Sequence, residues 1–249
     1  MASGLLVIAL GEATKIIPYL ETQKVQKEYL FSIKWGVKTD TDDITGNIIE
    51  QGGIIPEKDK ITGVFTSFIG LYNQMPPAFS AKKINGIPAY KLARKGVNIE
   101  LKPKNVNIYE LEETDIDGIY RVLCSEGTYV RTLVTDIAAR LGTIATCSMI
   151  RRTATNGFSI KECVTLDFLE NLSNNADAVM DFLKPLDFGL VDIPVAKLEP
   201  DDAMLFINGG FVPCKDAGQM RVYSENKFIG IGMAEQGVLK PKRIINADK

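Results

Sequence analysis

Histidine is absent from all 249 residues. That absence excludes Ser-His-Asp and Cys-His nucleophile systems and removes the usual ligand of transition-metal sites. Cysteine is scarce: Cys124, Cys147, Cys163 and Cys214 lie far apart with no C-x-x-C spacing. Neither a zinc site nor a disulfide framework is indicated, and a reducing, cytoplasmic setting fits best. Long apolar runs are missing too. The stretch Leu5 to Leu10 stops at Gly11-Glu12 and has no basic residue before it, so it is neither a signal h-region nor a membrane span and reads as core. Neither sign of charge dominates, with a net charge of -2, which gives no global case for nucleic acid. No nucleotide-binding motif is visible, and no cofactor or metal is expected. Chemistry must therefore rest on carboxylates, Tyr, Lys, Arg or Ser/Thr.

What is present is ordinary globular composition, 45% hydrophobic and 24% charged, in a chain long enough for one large domain and a small one. "EYLFSIKWGVKTDTDDITG" starts with strand alternation and ends in a Thr/Asp-rich turn closed by Gly46. Ile61, Val64, Phe65, Phe68 and Ile69 fall at helical spacing, with Asp59 as cap and Gly70 as stop. "VNIYELEE" and "IYRVLC" read as strands. In "SEGTYVRTLVTDIAARLG", Val130, Leu133, Val134, Ile137, Ala138 and Leu141 form one helix face, with Arg131 at its margin in the first turn. Further strands are expected at "IATCSMIRRTA" and "GFSI", and two short helices between Leu166 and Leu183. "KPLDFGLVDIPVAKLEP" is the best candidate linker. A small β-rich module follows. The fold class is α+β, with a mixed or antiparallel sheet and a compact all-β carboxy-terminal module.

Three stretches carry chemistry. "NQMPPAFSAKKINGIPAYKLARKG" sets Lys82, Lys83, Lys91, Arg94 and Lys95 among Phe79 and Tyr90, between Pro and Gly breaks. Cations mixed with aromatics suit phosphates and bases, but an ordinary surface hairpin fits residues 73 to 96 equally well. "TDTDDITG" holds Asp40, Asp42 and Asp43. It lacks the ligand spacing of a calcium loop, and on its own it reads as an Asx-rich turn. "CSEGTYVRTLVTD" places Tyr129 and Arg131 after a strand-to-helix turn, where an arginine either pairs with a carboxylate or enters a cleft. Other cationic pairs occur at Arg151-Arg152 and at Lys240 with Lys242-Arg243; for any one of them a solvated face is the simpler reading.

In order along the chain, "GLLVIALGEATK", "EYLFSIKWGVKTDTDDITG", "MPPAFSAKKINGIPAYKLARKG", "CSEGTYVRTLVTDIAARLG", "MIRRTATNGFSI" and "NKFIGIGMAEQGVLKPKRII" resemble the bacterial tRNA pseudouridine-55 synthases of the TruB family. The resemblance implies a catalytic domain over 1–187 and a PUA-like RNA-binding module over 188–249. It implies cofactor-free isomerisation of a flipped T-loop uridine by an aspartate nucleophile, on the tRNA T arm. Tyr29 matches the tyrosine that stacks on the flipped base. Its simpler reading is an inward strand aromatic. Arg131 matches the arginine that pairs with the nucleophile, and Asp43 the second carboxylate of that network. Residues 73 to 96 match the T-loop-gripping insertion, with Lys82, Lys83, Tyr90, Lys91, Arg94, Lys95, Arg151 and Arg152 as RNA contacts. Lys15 and Tyr129 take supporting roles. Possession of the insertion sets aside the guide-RNA-dependent relatives.

The chain departs from the family in one respect. The nucleophile belongs to a G-x-L-D-P motif whose aspartate would fall two positions before Met1, and Asp40, Asp42, Asp43 and Asp136 each match other positions. Two expectations follow: a longer, active product that includes the motif, or an inactive tRNA-binding or decaying chain. Residues 1–249 alone are expected to be inactive. A monomer without a required protein partner is the default, since no heptad or long apolar stripe is visible.

Overall fold

Tyr29, Phe31, Ile33 and Trp35 alternate with Glu28, Ser32 and Lys34, and this period of two makes residues 26–35 the strand around which the first half of the molecule is built. The computed structural model describes residues 2–20, 26–80, 82–84, 86–97, 101–172 and 176–245. Its chain packs as two units, Met1–Leu5 with Gln26–Thr155 and Leu6–Val25 with Asn156–Lys249.

The first unit contains β1 (Ala2–Gly4), β2 (Gln26–Trp35), β3 (Val37–Thr39), β4 (Ile48–Gln51), β5 (Gly70–Gln74), β6 (Lys83–Ile84), β7 (Ile87–Pro88), β8 (Lys104–Glu113), β9 (Ile119–Ser125) and β10 (Ala145–Thr155). Six of these form a mixed sheet in the order β1-β10-β2-β9-β8-β5. The β1–β10 pair is parallel and the other pairs are antiparallel. β3–β4 and β6–β7 are separate hairpins. Helices Lys58–Phe65 and Val130–Arg140 supply Ile61, Phe65, Val130, Leu133, Val134 and Ile137 to a core shared with Phe31, Ile108, Val122 and Cys124 of the sheet. The apolar spacing read from the sequence is therefore the face that packs. Asp59, expected as a cap, lies instead inside the first turn. Glu57 occupies the N-cap position and makes no side-chain capping bond.

The second unit opens its carboxy-terminal part with β11 (Phe158–Ser159) and the short helices Leu166–Asn171 and Ala176–Met180. A five-stranded sheet follows from β12 (Val195–Leu198), β13 (Val212–Pro213), β14 (Gly218–Ser224), β15 (Lys227–Glu235) and β16 (Val238–Ile244), in the order β12-β14-β15-β16-β13. Beside it lies the helix Pro200–Ile207, with proline at its start where no N–H is needed. Gln236 and Gly237, both at positive φ, make the tight turn between β15 and β16.

Two expectations are corrected. The apolar run from Leu5 is not core: Leu5 is buried, but Leu6, Ile8 and Leu10 are mostly exposed, in a stretch without regular structure. The Pro-punctuated segment after Lys184 is not a loose linker, because Leu190 and Ile193 are buried with Ile16, Phe228, Ile231 and Ile245 in a second-unit core.

Within that segment Asp187 is 5% exposed and accepts hydrogen bonds from Arg221 Nη1 at 2.8 Å and the Tyr223 hydroxyl at 2.5 Å. Burial, then the bond to Asp187, pushes the Tyr223 pKa up to about 12. Removing one partner leaves the other charge uncompensated, so Asp187→Ala should cost about 3 kcal/mol. Thermal unfolding of the variant measures it, and an unchanged melting temperature would contradict this role.

Candidate active site

Residues 39–47 form a loop locked to β10. Ile44 N–H donates to Cys147 C=O at 2.9 Å and Cys147 N–H to Asp42 C=O at 3.0 Å. The Thr39 hydroxyl bonds the Asp43 carbonyl at 2.8 Å and contacts the Thr146 hydroxyl at 2.9 Å. The three carboxylates divide the work. Asp40 closes the mouth by accepting from Asn47 N–H at 2.8 Å. Asp42 sits at the apex with φ 60. Asp43 uses Oδ1 to accept from Thr45 N–H at 3.0 Å, the Asx turn read from sequence, and turns Oδ2 to Arg131 Nη1 at 3.1 Å. A Cβ on Gly46 would meet the Thr41 and Asp40 side chains, which would have to shift to admit it.

Arg131 stands in the first turn of Val130–Arg140 and is held by three acceptors: Asp43 Oδ2, Thr41 C=O at 2.6 Å from Nη1, and Phe79 C=O at 2.8 Å from Nη2. A guanidinium has five N–H donors. Its Nε–H and one Nη2–H are therefore left without an acceptor among the described residues, enough for a second carboxylate in fork geometry. Burial pushes the Asp43 carboxyl upward, but hydrogen bonds from Thr45, the Arg131 charge and Thr41 outweigh it and hold its pKa below the ordinary value. Asp42 goes the other way, raised by burial against the opposing charges of Arg131 and Lys38.

Tyr29 lies on the sheet face that carries the core, directly opposite Val122 on β9 and Arg152 on β10. It is thus an inward strand aromatic that keeps partial exposure. Burial raises its pKa, with Cys124 adding to this and Arg152 opposing it. Arg152 is half-buried and donates Nε–H to Leu5 C=O at 2.8 Å; Arg151 is exposed.

Lys82, Lys83, Lys91, Arg94 and Lys95 are exposed, Tyr90 is half-buried, and none of these cations has a carboxylate within ion-pair distance among the described residues. Arg94 lies over the Tyr90 ring at 5.6 Å. Ala81 and Asn85 of the insertion lie outside the described residues. Lys15 belongs to the second unit and pairs with Glu12 at 2.7 Å. Sequence reading missed Thr41, Thr45 and the Phe79 carbonyl, which contact Arg131 or Asp43, and Gln74, which holds the Tyr129 backbone beside Arg131. Among the described residues no group of three His, Cys, Asp or Glu is placed to hold a metal ion, and no helix is long and apolar enough to cross a membrane.

In fold, the chain superposes on a chain of a Cbf5-Nop10-Gar1 complex with TM-score 0.70 at 19% identity, covering 98% of this chain and 73% of that one. A second match with TM-score 0.70, at 17% identity and the same coverage, is an H/ACA RNP bound to a substrate RNA containing 2'-deoxyuridine. Sequence goes further. Residues 1–130 match the TruB family pseudouridylate synthase N-terminal domain, 131–191 the tRNA pseudouridylate synthase B C-terminal domain, and 194–245 the pseudouridine synthase II TruB C-terminal domain. The tRNA pseudouridine synthase B of Francisella philomiragia is 38% identical over 100% of this chain and 83% of that protein. Those of Azoarcus and Ehrlichia ruminantium are 36% and 34% identical, covering 98% and 99% of this chain and 82% and 86% of those proteins. The chain belongs to the TruB family of pseudouridine synthases.

The carboxylates of the loop make opposite contributions to stability. The folded pKa of Asp43 lies below its unfolded value, so its contribution is complete above the unfolded pKa and is lost as pH falls through the folded one. Asp42, raised on folding, contributes below its unfolded pKa and loses that contribution as pH rises through the folded one. At neutral pH Asp43→Asn should therefore destabilise. Asp42→Asn should stabilise, helped by the tolerance of asparagine for positive φ. Urea unfolding of the two single variants should give shifts of opposite sign; shifts of one sign would refute the assignment.

Proposed function

We propose that this chain forms the tRNA-binding and base-receiving body of an enzyme that isomerises uridine to pseudouridine in tRNA, at position 55 of the T loop. The observation that carries the reading is Arg131, pinned by three acceptors beside an ionised Asp43 and keeping two N–H groups for another carboxylate. The relatives matched over their length are tRNA pseudouridine synthases, which supports tRNA as the substrate. The reaction breaks the C1'–N1 bond of the nucleotide and forms C1'–C5. The C5 proton leaves and N1 gains one, so atoms balance without any cofactor.

In this mechanism the uridine leaves the stack, because a stacked base shields both faces from a carboxylate. Tyr29 receives the flipped ring and assists loss of the C5 proton. Arg131 keeps the nucleophilic aspartate ionised by favouring its charged form. The insertion at 73–96 grips the T loop through its unpaired cations, and the carboxy-terminal strands act as a PUA-like module that helps hold the tRNA. The protein acts as a monomer and needs no protein partner. The family's G-x-L-D-P motif does not occur within residues 1–249, and in this reading these residues by themselves bind tRNA without isomerising it.

Tritium release from tRNA labelled at uridine C5 tests this. Residues 1–249 alone should release none, and a protein carrying the family's G-x-L-D-P segment ahead of Met1 should turn over. In that longer protein Tyr29→Ala and Arg131→Ala should abolish release while tRNA binding persists. Release by residues 1–249, or normal turnover in either variant, would overturn the mechanism. A second measurement addresses the insertion. Lys91→Ala with Lys95→Ala should lower the slope of log affinity against log salt by about 2 if each contacts one phosphate. An unchanged slope would return residues 73–96 to an ordinary surface hairpin.

A further inference from the structure

Gln74, the last residue of β5, is 1% exposed and spends both ends of its side-chain amide on one residue. Its Oε1 accepts from Tyr129 N–H at 2.8 Å and its Nε2 donates to Tyr129 C=O at 3.0 Å. Tyr129 is the residue before helix Val130–Arg140; its backbone is extended and it makes no side-chain cap. A buried amide is tolerated only when such bonds are made. The two bonds thus fix the height and rotation at which the helix begins. A few residues further along the same segment, the Phe79 carbonyl accepts from Arg131 Nη2 at 2.8 Å. The root of the insertion therefore holds the 129–131 segment twice, by its backbone through Gln74 and by its guanidinium through Phe79. The adjacent buried hydroxyls offer no substitute anchor, since Ser80 Oγ and Thr132 Oγ1 have no hydrogen-bond partner.

We propose that Gln74 is a positioning residue: by clamping both peptide groups of Tyr129 to the root of the insertion, it aims the Arg131 guanidinium at Asp43. The inference rests on the reading of Arg131 and Asp43 as the charged support of the reaction, but its test needs no turnover. It also gives the insertion a mechanical link to the arginine. A segment that grips RNA shares its base with the group that orients the carboxylates, so movement at that base reaches Arg131 through two hydrogen-bonded attachments.

The test is NMR of the full chain without tRNA. In the parent protein the Arg131 guanidinium protons should be separately resolved and slow to exchange, and the Asp43 carboxyl carbon should titrate below the ordinary carboxylate range. In Gln74→Leu, of similar size but unable to hold the Tyr129 peptide groups, the Arg131 resonances should merge and the Asp43 titration should rise by about one pH unit. Unchanged Arg131 and Asp43 signals in a folded Gln74→Leu protein would overturn the proposal. Should that variant fail to fold, Gln74→Glu decides. Its protonated carboxyl can both donate and accept, whereas its ionised form can only accept. The parent Arg131 pattern should then return as the new carboxyl is protonated, and a pattern indifferent to pH would overturn the proposal. Parallel tRNA binding separates the two readings. Parent protein that fails to bind tRNA sinks the functional reading and leaves the Gln74 result standing, whereas tRNA binding with unchanged NMR signals does the reverse.

Discussion

The guanidinium of Arg131 is the point at which separate parts of the first unit are tied together. It joins parts of the chain that no sheet pairing connects: the first turn of Val130–Arg140, the 39–47 loop through Thr41 and Asp43, and the root of the insertion through Phe79. Two of its three acceptors are backbone carbonyls, which place the group without neutralising it. A single carboxylate, Asp43, then balances its one charge, while two of the five donors have no acceptor among the described residues.

Asp43 divides its two oxygens between a local turn and a long-range ion pair. Its Oδ1 makes the local turn with Thr45 and Thr41, and its Oδ2 makes the long-range pair. The turn contributes as much as the arginine to keeping the carboxyl ionised, since hydrogen bonds to the charged form favour it just as an opposite charge does. The loop is thereby stiffened by the interaction that prepares its charge, and the backbone bridge to Cys147 fixes the loop against the sheet.

Much of this was legible in the sequence where one element carries the signal. The apolar face of residues 130–141 appears in full because helical spacing repeats within a few turns, and that face packs as read. Signals that depend on a distant partner were not legible. Gln74 and Tyr129 are separated by 55 positions, and a backbone acceptor leaves no trace in side-chain patterning. The Arg131–Asp43 pair spans 88 positions and was anticipated only through family resemblance. The run from Leu5 and the segment around Leu190 were misread for the same reason in opposite directions. Hydrophobicity records that a residue tends to be covered, and proline that a chain turns, but neither records which surface does the covering. Leu6 therefore meets solvent, while the Pro-punctuated Leu190 is fully buried.

Charge offers the clearest case of a total concealing an arrangement. A net charge of -2 argues against an RNA-binding protein only if charges are spread evenly. On the main sheet they are not free to act at a distance, because Arg121 alone is ringed by Glu28, Glu110 and Glu112, and Lys58 pairs with Glu113. These cations are outnumbered by their carboxylates, so from a Debye length away neither group presents a positive potential. The cations of the insertion have no such partners among the described residues, so their field extends into solvent. The potential an approaching polyanion meets is set by the unpaired charges, and in the first unit these include the cationic cluster on the segment whose base is fastened to Arg131.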